Sequence, residues 1–146
     1  MIIVDVQDMQ EKIALDEELV RRWAEAMLVE LGRDEAELSI VFVDDRYIRR
    51  LNKQYLGRDR ATNVISFPQQ EGEGCYGAHL GDIVISVERA EDEANQAGMT
   101  FDERLMQLLV HGICHLCGFD HEDVSAERAS EMEGVEQAIL DKLGRT

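Results

Sequence analysis

The sequence is poor in cysteine and proline and has no long apolar run. Three cysteines, an odd number, in 146 residues argue against a disulfide framework and for a reducing, cytoplasmic setting. No apolar run is long enough to cross a membrane. The first residues, Met1 to Asp5, lack the basic start and the cleavage site of a signal peptide, so we expect none. No repeat or linker divides the chain, which predicts one domain over residues 1–146.

Basic residues are also scarce. Fifteen Lys and Arg stand against 31 Asp and Glu, and the net charge of −16 disfavours nucleic-acid binding by the surface as a whole. The window 46–60 is the exception, because its only acid is Asp59 and it holds six basic residues: Arg46, Arg49, Arg50, Lys53, Arg58 and Arg60. Charge alone leaves two interpretations open, a local basic patch or the solvated face of a basic helix.

Three of the four histidines lie in one eleven-residue segment, as His111, His115 and His121. The first two are one helical turn apart and therefore share a helix face. Gly118 is expected to end the helix through a left-handed turn, which can bring His121 back toward the other two. Three converging imidazoles predict a site for one zinc ion, or another late first-row divalent metal such as nickel, with an open coordination position.

The histidine spacing is that of the long zinc-protease signature, His-Glu-x-x-His-x-x-Gly-x-x-His, with one departure. Gly112 occupies the position of the glutamate that acts as general base in those proteases. A glycine cannot accept a proton. The sequence therefore predicts the metal scaffold without the standard peptidase machinery.

Cys114 and Cys117 lie within the same segment at a spacing that also occurs in metal and redox sites. On a helix Cys117 points well away from the histidine face. Buried, small apolar side chains are the favoured interpretation for both, although Cys114 is close enough to touch groups around the metal ligands.

The hydrophobic pattern predicts four strands and four or five helices that do not alternate strictly. Strands are expected at 2–6, 38–43, 64–67 and 82–87, and helices at about 17–31, 45–56, 88–96, 101–117 and 125–143. Pro68 is expected to stop the third strand, and a loop is predicted over 69–79. This order indicates an α+β fold with a small mixed four-stranded sheet, whose metal-site helix resembles that of zinc metalloproteases.

Three segments of the chain resemble the YbeY-type endoribonucleases, a family of ribosomal RNA maturation factors. They are the histidine motif over 111–121, with Gly112 in the glutamate position, the residues 51–68 that contain Asp59-Arg60-Ala61-Thr62-Asn63, and Leu80-Gly81-Asp82 with the strand that follows. The resemblance implies a single-strand-specific, metal-dependent endoribonuclease. It also implies 16S rRNA and the small ribosomal subunit as partners, in 3′-end maturation and ribosome quality control.

The resemblance also implies roles for particular residues. His111, His115 and His121 would be the metal ligands beside a basic cleft. Some members have a functional arginine where this chain has Leu56, so Arg58 or Arg60 is expected to supply that charge. Independently of the resemblance, Asp120, Glu122 and Asp123 adjoin the third ligand and are candidates for proton transfer; for Asp120 the favoured interpretation is that it orients a histidine. The expected RNA-binding residues are Arg49, Lys53, Arg58 and Arg60.

Several alternatives stay open at this point. The nucleophile is either water or the ribose 2′-OH. The chain could instead be a metal-dependent hydrolase of another class, or a ribosome assembly or binding protein with a structural metal. Tyr55 and Phe67 are interpreted as core residues rather than base-stacking residues. His79 is interpreted as incidental, and the polar residues Asn52, Thr62, Asn63 and Ser66 as partners of loop backbone groups.

Overall fold

A computed structural model describes residues 1–69, 79–118 and 126–144. The strands are β1 (Ile3–Asp8), β2 (Glu37–Val43), β3 (Val64–Pro68) and β4 (His79–Ser86). The helices are α1 (Glu17–Glu30), α2 (Asp45–Leu56), α3 (Val87–Ala97), α4 (Phe101–Leu116) and α5 (Ala126–Gly144). Within these residues, no helix is both long enough and apolar enough to span a membrane.

The four strands form one mixed sheet in the order β1-β2-β4-β3. β1, β2 and β4 are parallel, and the edge strand β3 runs antiparallel to β4. The predicted α+β fold with a mixed four-stranded sheet is thereby confirmed.

The boundaries of β4 differ from the prediction at both ends. The strand begins at His79, which pairs with Glu37, so the prediction that His79 belongs to the preceding loop was wrong. The strand start was missed because Gly81 interrupts the apolar pattern that strand prediction relies on. Val87 belongs to α3 instead, because the Ser86 hydroxyl accepts a hydrogen bond from the Arg89 N–H and caps that helix.

Gly81 is where β3 and β4 approach most closely. Its φ of 143° is unfavourable for residues with a side chain, and an added Cβ would lie 2.2 Å from the Phe67 carbonyl oxygen. Leu116, the last residue of α4, lies on the same side, at 3.1 Å from that Cβ position. Glycine at this position therefore lets the edge strand and the end of α4 pack together.

The two faces of the sheet are covered by different helices. Ile83 and Ile85 of β4 belong to the main core, together with residues of α1, α4 and α5. Val84, which points to the opposite face, belongs to a smaller cluster with Ile48 of α2. α2 and α4 thus lie on opposite faces, and the loop that connects α2 to the edge strand β3 can reach the end of α4.

Candidate active site

Helix α4 carries the first two predicted metal ligands. It begins at a capping box in which Thr100 and Glu103 each accept a hydrogen bond from the other's backbone N–H. His111 and His115 lie one turn apart, with ring centroids separated by 4.9 Å and ring planes at 73°. The helix ends as predicted, since Gly118 has a φ of 100°.

The third predicted ligand, His121, and the candidates Asp120, Glu122 and Asp123 lie outside the described residues, so their predicted roles stay predictions. In the described part of the chain, His, Cys, Asp and Glu side chains form no group of three that could hold a metal ion.

Gly112 forms the contact between α4 and the sheet. A Cβ at this position would lie 3.1 Å from both the Cδ1 and the Cγ2 atom of Ile83. Its carbonyl oxygen also accepts a hydrogen bond of 3.5 Å from the Ser66 hydroxyl on β3. A side chain at 112 would therefore point at β4. The position of the protease glutamate is used here for helix–sheet packing.

Sequence reasoning missed Glu136 on α5. Its Oε1 lies 2.8 Å from His111 Nδ1, and only 13% of its side chain is exposed. A signal was present: Glu136 stands four residues after Met132 and three before Ile139, and both are buried. An acid on the core-facing side of a helix is uncommon and suggests a specific partner.

The hydrogen bond between Glu136 and His111 fits the binding of a metal ion by that histidine. An ionised carboxylate can only accept a hydrogen bond, so Glu136 favours the His111 tautomer that carries its proton on Nδ1. That tautomer leaves Nε2 as the atom with a lone pair, which is the usual arrangement of a metal-ligating histidine. Imidazole nitrogen suits zinc and other late first-row metals.

The environment of the two cysteines supports their interpretation as packed apolar side chains. Cys114 is fully buried in the main core, and Cys117 packs against the same cluster. Burial raises the pKa of the Cys114 thiol to about 12, with smaller contributions from Glu136 and Cys117. Burial also raises the pKa of Cys117. Both thiols are therefore protonated at neutral pH in this environment.

A cavity of about 330 Å³ opens between α4, the end of α2 and β3. Its lining combines the two histidines with two of the predicted cations and includes Leu56, Arg58, Arg60, Ser66, His111 and His115. Arg58 or Arg60 was predicted to supply the positive charge that Leu56 lacks. Their positions are compatible with this prediction, because all three residues line the same cavity.

Asn52 holds the loop that carries the two arginines. It is buried, and its Nδ2 donates a hydrogen bond of 2.9 Å to the Arg60 carbonyl oxygen. Its own carbonyl oxygen accepts a hydrogen bond of 3.2 Å from the Arg58 N–H. The expected role of Asn52, as a partner of loop backbone groups, is confirmed.

The structure separates the four predicted RNA-binding residues into two pairs. Arg49 and Lys53 lie on α2 with their charged groups 2.9 and 3.9 Å from the Asp59 carboxylate, outside the cavity lining. Arg49, chiefly through its hydrogen bond, holds the pKa of Asp59 below its ordinary value of 3.8. Over the described residues, neither Arg58 nor Arg60 forms a side-chain ion pair, and both line the cavity.

The prediction that Tyr55 is a core residue was wrong, since the residue is 59% exposed. It follows the apolar spacing of Ile48 and Leu51, but it lies in the last turn of α2. There its ring meets Phe67, which is half-buried, at a centroid distance of 5.4 Å and an interplanar angle of 74°.

A cavity that combines two histidines with two arginines suits an enzyme that acts on phosphodiesters, because positive groups stabilise the charge that develops on the phosphate. The sequence model of the family described as Endoribonuclease YbeY matches residues 5–144. The chain belongs to the endoribonuclease YbeY family.

Individual relatives agree with this assignment. The chain is 45% identical over 128 residues to an endoribonuclease YbeY of Geobacter metallireducens, covering 86% of this chain and 85% of the relative. It is 39% identical over 145 residues to one of Syntrophotalea carbinolica, covering 98% and 95% of the two chains. The solution structure of TM1509 from Thermotoga maritima is similar in fold, with a TM-score of 0.65 at 21% identity over 98% of this chain and 93% of that one.

Proposed function

We propose that this protein cleaves single-stranded RNA with a metal ion held by His111, His115 and His121. As a member of its family the chain is an endoribonuclease, a hydrolase of RNA phosphodiester bonds, and the enzymes of this family are metal-dependent. We propose zinc, or another late first-row divalent metal such as nickel, as the ion. The observation that carries the proposal is the cavity that His111 and His115 share with two cationic side chains.

The residues on the two sides of this cavity have different tasks. His111 is held by Glu136 so that its Nε2 is the coordinating atom. When bound, the ion would activate a nucleophile, either water or the ribose 2′-OH, or act as a Lewis acid on a phosphoryl oxygen. Arg58 and Arg60 bind the phosphate and offset the negative charge that grows on it during cleavage.

Residue 112 cannot transfer a proton, because it is a glycine packed on Ile83. We propose that Asp120 either accepts the proton or orients a histidine, and we favour the second role. Arg49 and Lys53 would bind RNA farther from the reacting phosphate. To do so, the RNA backbone has to compete with the Asp59 carboxylate for these two cations.

For the biological role we propose cleavage of 16S rRNA at its 3′ end in the cytoplasm, ribosome quality control, and association with the small ribosomal subunit. Residues 1–146 would act as a single domain. The family of the chain supports an RNA substrate, and the two arginines that line the cavity support binding of a phosphate backbone.

The test is the metal content of the purified protein together with cleavage of a single-stranded 16S 3′-end RNA by the wild type and by His115→Ala. We expect about one bound ion in the wild type and loss of both the ion and the cleavage in the variant, since a three-ligand site loses an essential donor. His79→Ala is the matched control, because this half-buried histidine lies on β4, outside the cavity lining.

Equal, low cleavage by the wild type and His115→Ala would indicate a contaminating nuclease and contradict the proposal. A structural metal would give a different result. The wild type would then bind the small subunit without cleaving RNA, and a chelator would lower its melting temperature sharply.

A further inference from the structure

The last turn of α2 exposes two large apolar side chains beside the cavity. Tyr55 is 59% exposed and Leu56 is 53% exposed. Leu56 lines the cavity together with Arg58, Arg60 and the histidines, and Tyr55 precedes it directly. Two exposed apolar side chains therefore lie at the end of α2, and one of them lines the cavity.

Among the described residues, one aromatic ring contacts that of Tyr55. Phe67, in β3, meets it in an edge arrangement, at a centroid distance of 5.4 Å and an angle of 74°. Such a contact covers at most one face of the Tyr55 ring. More than half of Tyr55 is exposed, so a large part of the residue is accessible to a partner while Phe67 limits the motion of the ring.

We propose that Tyr55, supported by Phe67, is a stacking platform for one base of a single-stranded RNA whose phosphate binds at Arg58 and Arg60. This inference rests on the proposed endoribonuclease function. Sites for single strands combine cationic groups that follow the backbone with aromatic side chains that stack on bases. Both components occur here, within the six residues from Tyr55 to Arg60.

The charges around the platform favour a nucleic acid over a protein as its occupant. Arg58 and Arg60 lie on the cavity side, and over the described residues neither side chain forms an ion pair. An exposed aromatic ring near these two cations, on a protein of net charge −16, fits a ligand that is aromatic and anionic. The platform would also explain a preference for single strands, because the bases of a duplex are already stacked.

The experiment measures binding of a short fluorescent single-stranded RNA, by anisotropy, in a His115→Ala background that does not cleave it. We expect Tyr55→Ala to weaken binding roughly tenfold, and Tyr55→Phe, which keeps the ring, to stay within about twofold. Val29→Ala is the control for loss of an exposed apolar side chain, because Val29 is 54% exposed and lies on α1.

A second series uses RNAs with one abasic position each. At one position the missing base should weaken binding to the parent protein and have no further effect on Tyr55→Ala, because the two changes remove the same contact. The dependence of binding on salt should be equal for both proteins, since Tyr55 carries no charge.

Equal binding by Tyr55→Ala and the parent would overturn the platform, and so would equal losses in Tyr55→Phe and Tyr55→Ala. Unchanged RNA binding with lost association to the small ribosomal subunit would identify a protein-docking surface instead. A wild type that neither binds nor cleaves RNA contradicts the proposed function itself, which is a different result from any of these.

Discussion

Two pairs of basic residues lie within twelve positions of each other and have the same predicted role, yet the structure gives them different surroundings. Arg49 and Lys53 face the carboxylate of Asp59 on the outer surface. Arg58 and Arg60 line the cavity beside the histidines. The number of cations in a segment therefore says less about phosphate binding than the position of the single acid among them.

The backbone explains the separation. Gly57 ends α2 with a φ of 69°, and the Arg60 N–H donates a hydrogen bond of 2.9 Å to the Arg58 carbonyl oxygen, which closes a three-residue turn. The central residue of that turn, Asp59, reaches back to Arg49 while its two neighbours line the cavity. A tight turn thus directs neighbouring charges to different sides.

The largest effect is expected from Glu136, which tests metal binding by the histidines beside Arg58 and Arg60. Glu136→Ala removes the acceptor for His111 Nδ1, so we expect metal affinity to fall roughly 10- to 100-fold, with cleavage falling alongside. A competition titration against a chelating dye measures the affinity directly. Glu136→Gln retains a carbonyl acceptor and should lose less.

Glu133→Ala is the control for Glu136, because it removes an exposed acid from the same helix. If Glu136→Ala bound the metal as tightly as Glu133→Ala, the hydrogen bond to His111 would have no part in metal binding, and the carboxylate would serve only the packing of α5 against α4.

An intermediate effect separates the two pairs directly. Arg58→Ala or Arg60→Ala should weaken single-stranded RNA binding roughly tenfold or more, since each removes a charge-assisted contact to phosphate. The slope of log affinity against log salt should become shallower by about 0.7 for each variant. Arg49→Ala and Lys53→Ala should change both quantities much less, because Asp59 already neutralises part of their charge. Equal salt slopes in all four variants would show that the two pairs of cations do not differ in phosphate binding.

Features that depend on neighbouring residues could be predicted from the sequence. Asp16, Asp44 and Thr100 each begin a helix as expected, because an N-cap side chain bonds to a backbone N–H three residues later. Gly118 takes the left-handed conformation for an equally local reason. The histidine pair on α4 follows from helical spacing alone.

Features that depend on tertiary packing could not be predicted. The Glu136 contact joins residues 25 positions apart on two helices, and nothing in the spacing of either helix aligns them. Tyr55 has the spacing of a core residue, but it is 59% exposed in the last turn of α2. Periodicity gives the face of a helix on which a residue lies, and it does not give the length of helix that its neighbours cover.

The smallest effect is expected from Asp59→Asn, which would make the two pairs alike. Without the carboxylate, Arg49 and Lys53 are free to bind phosphate, so RNA affinity should rise a few-fold and the salt slope should steepen by at most about 1.4. Because Arg49 lowers the pKa of Asp59, the carboxylate stays ionised in the folded protein at neutral pH. Any stability that the ion pair contributes is lost only as the pH falls through that lowered pKa.

The gain in RNA affinity should therefore be constant between about pH 6 and about pH 8. A gain that vanished toward the acidic end of that range, or no gain at all, would show that Asp59 does not restrain these two cations.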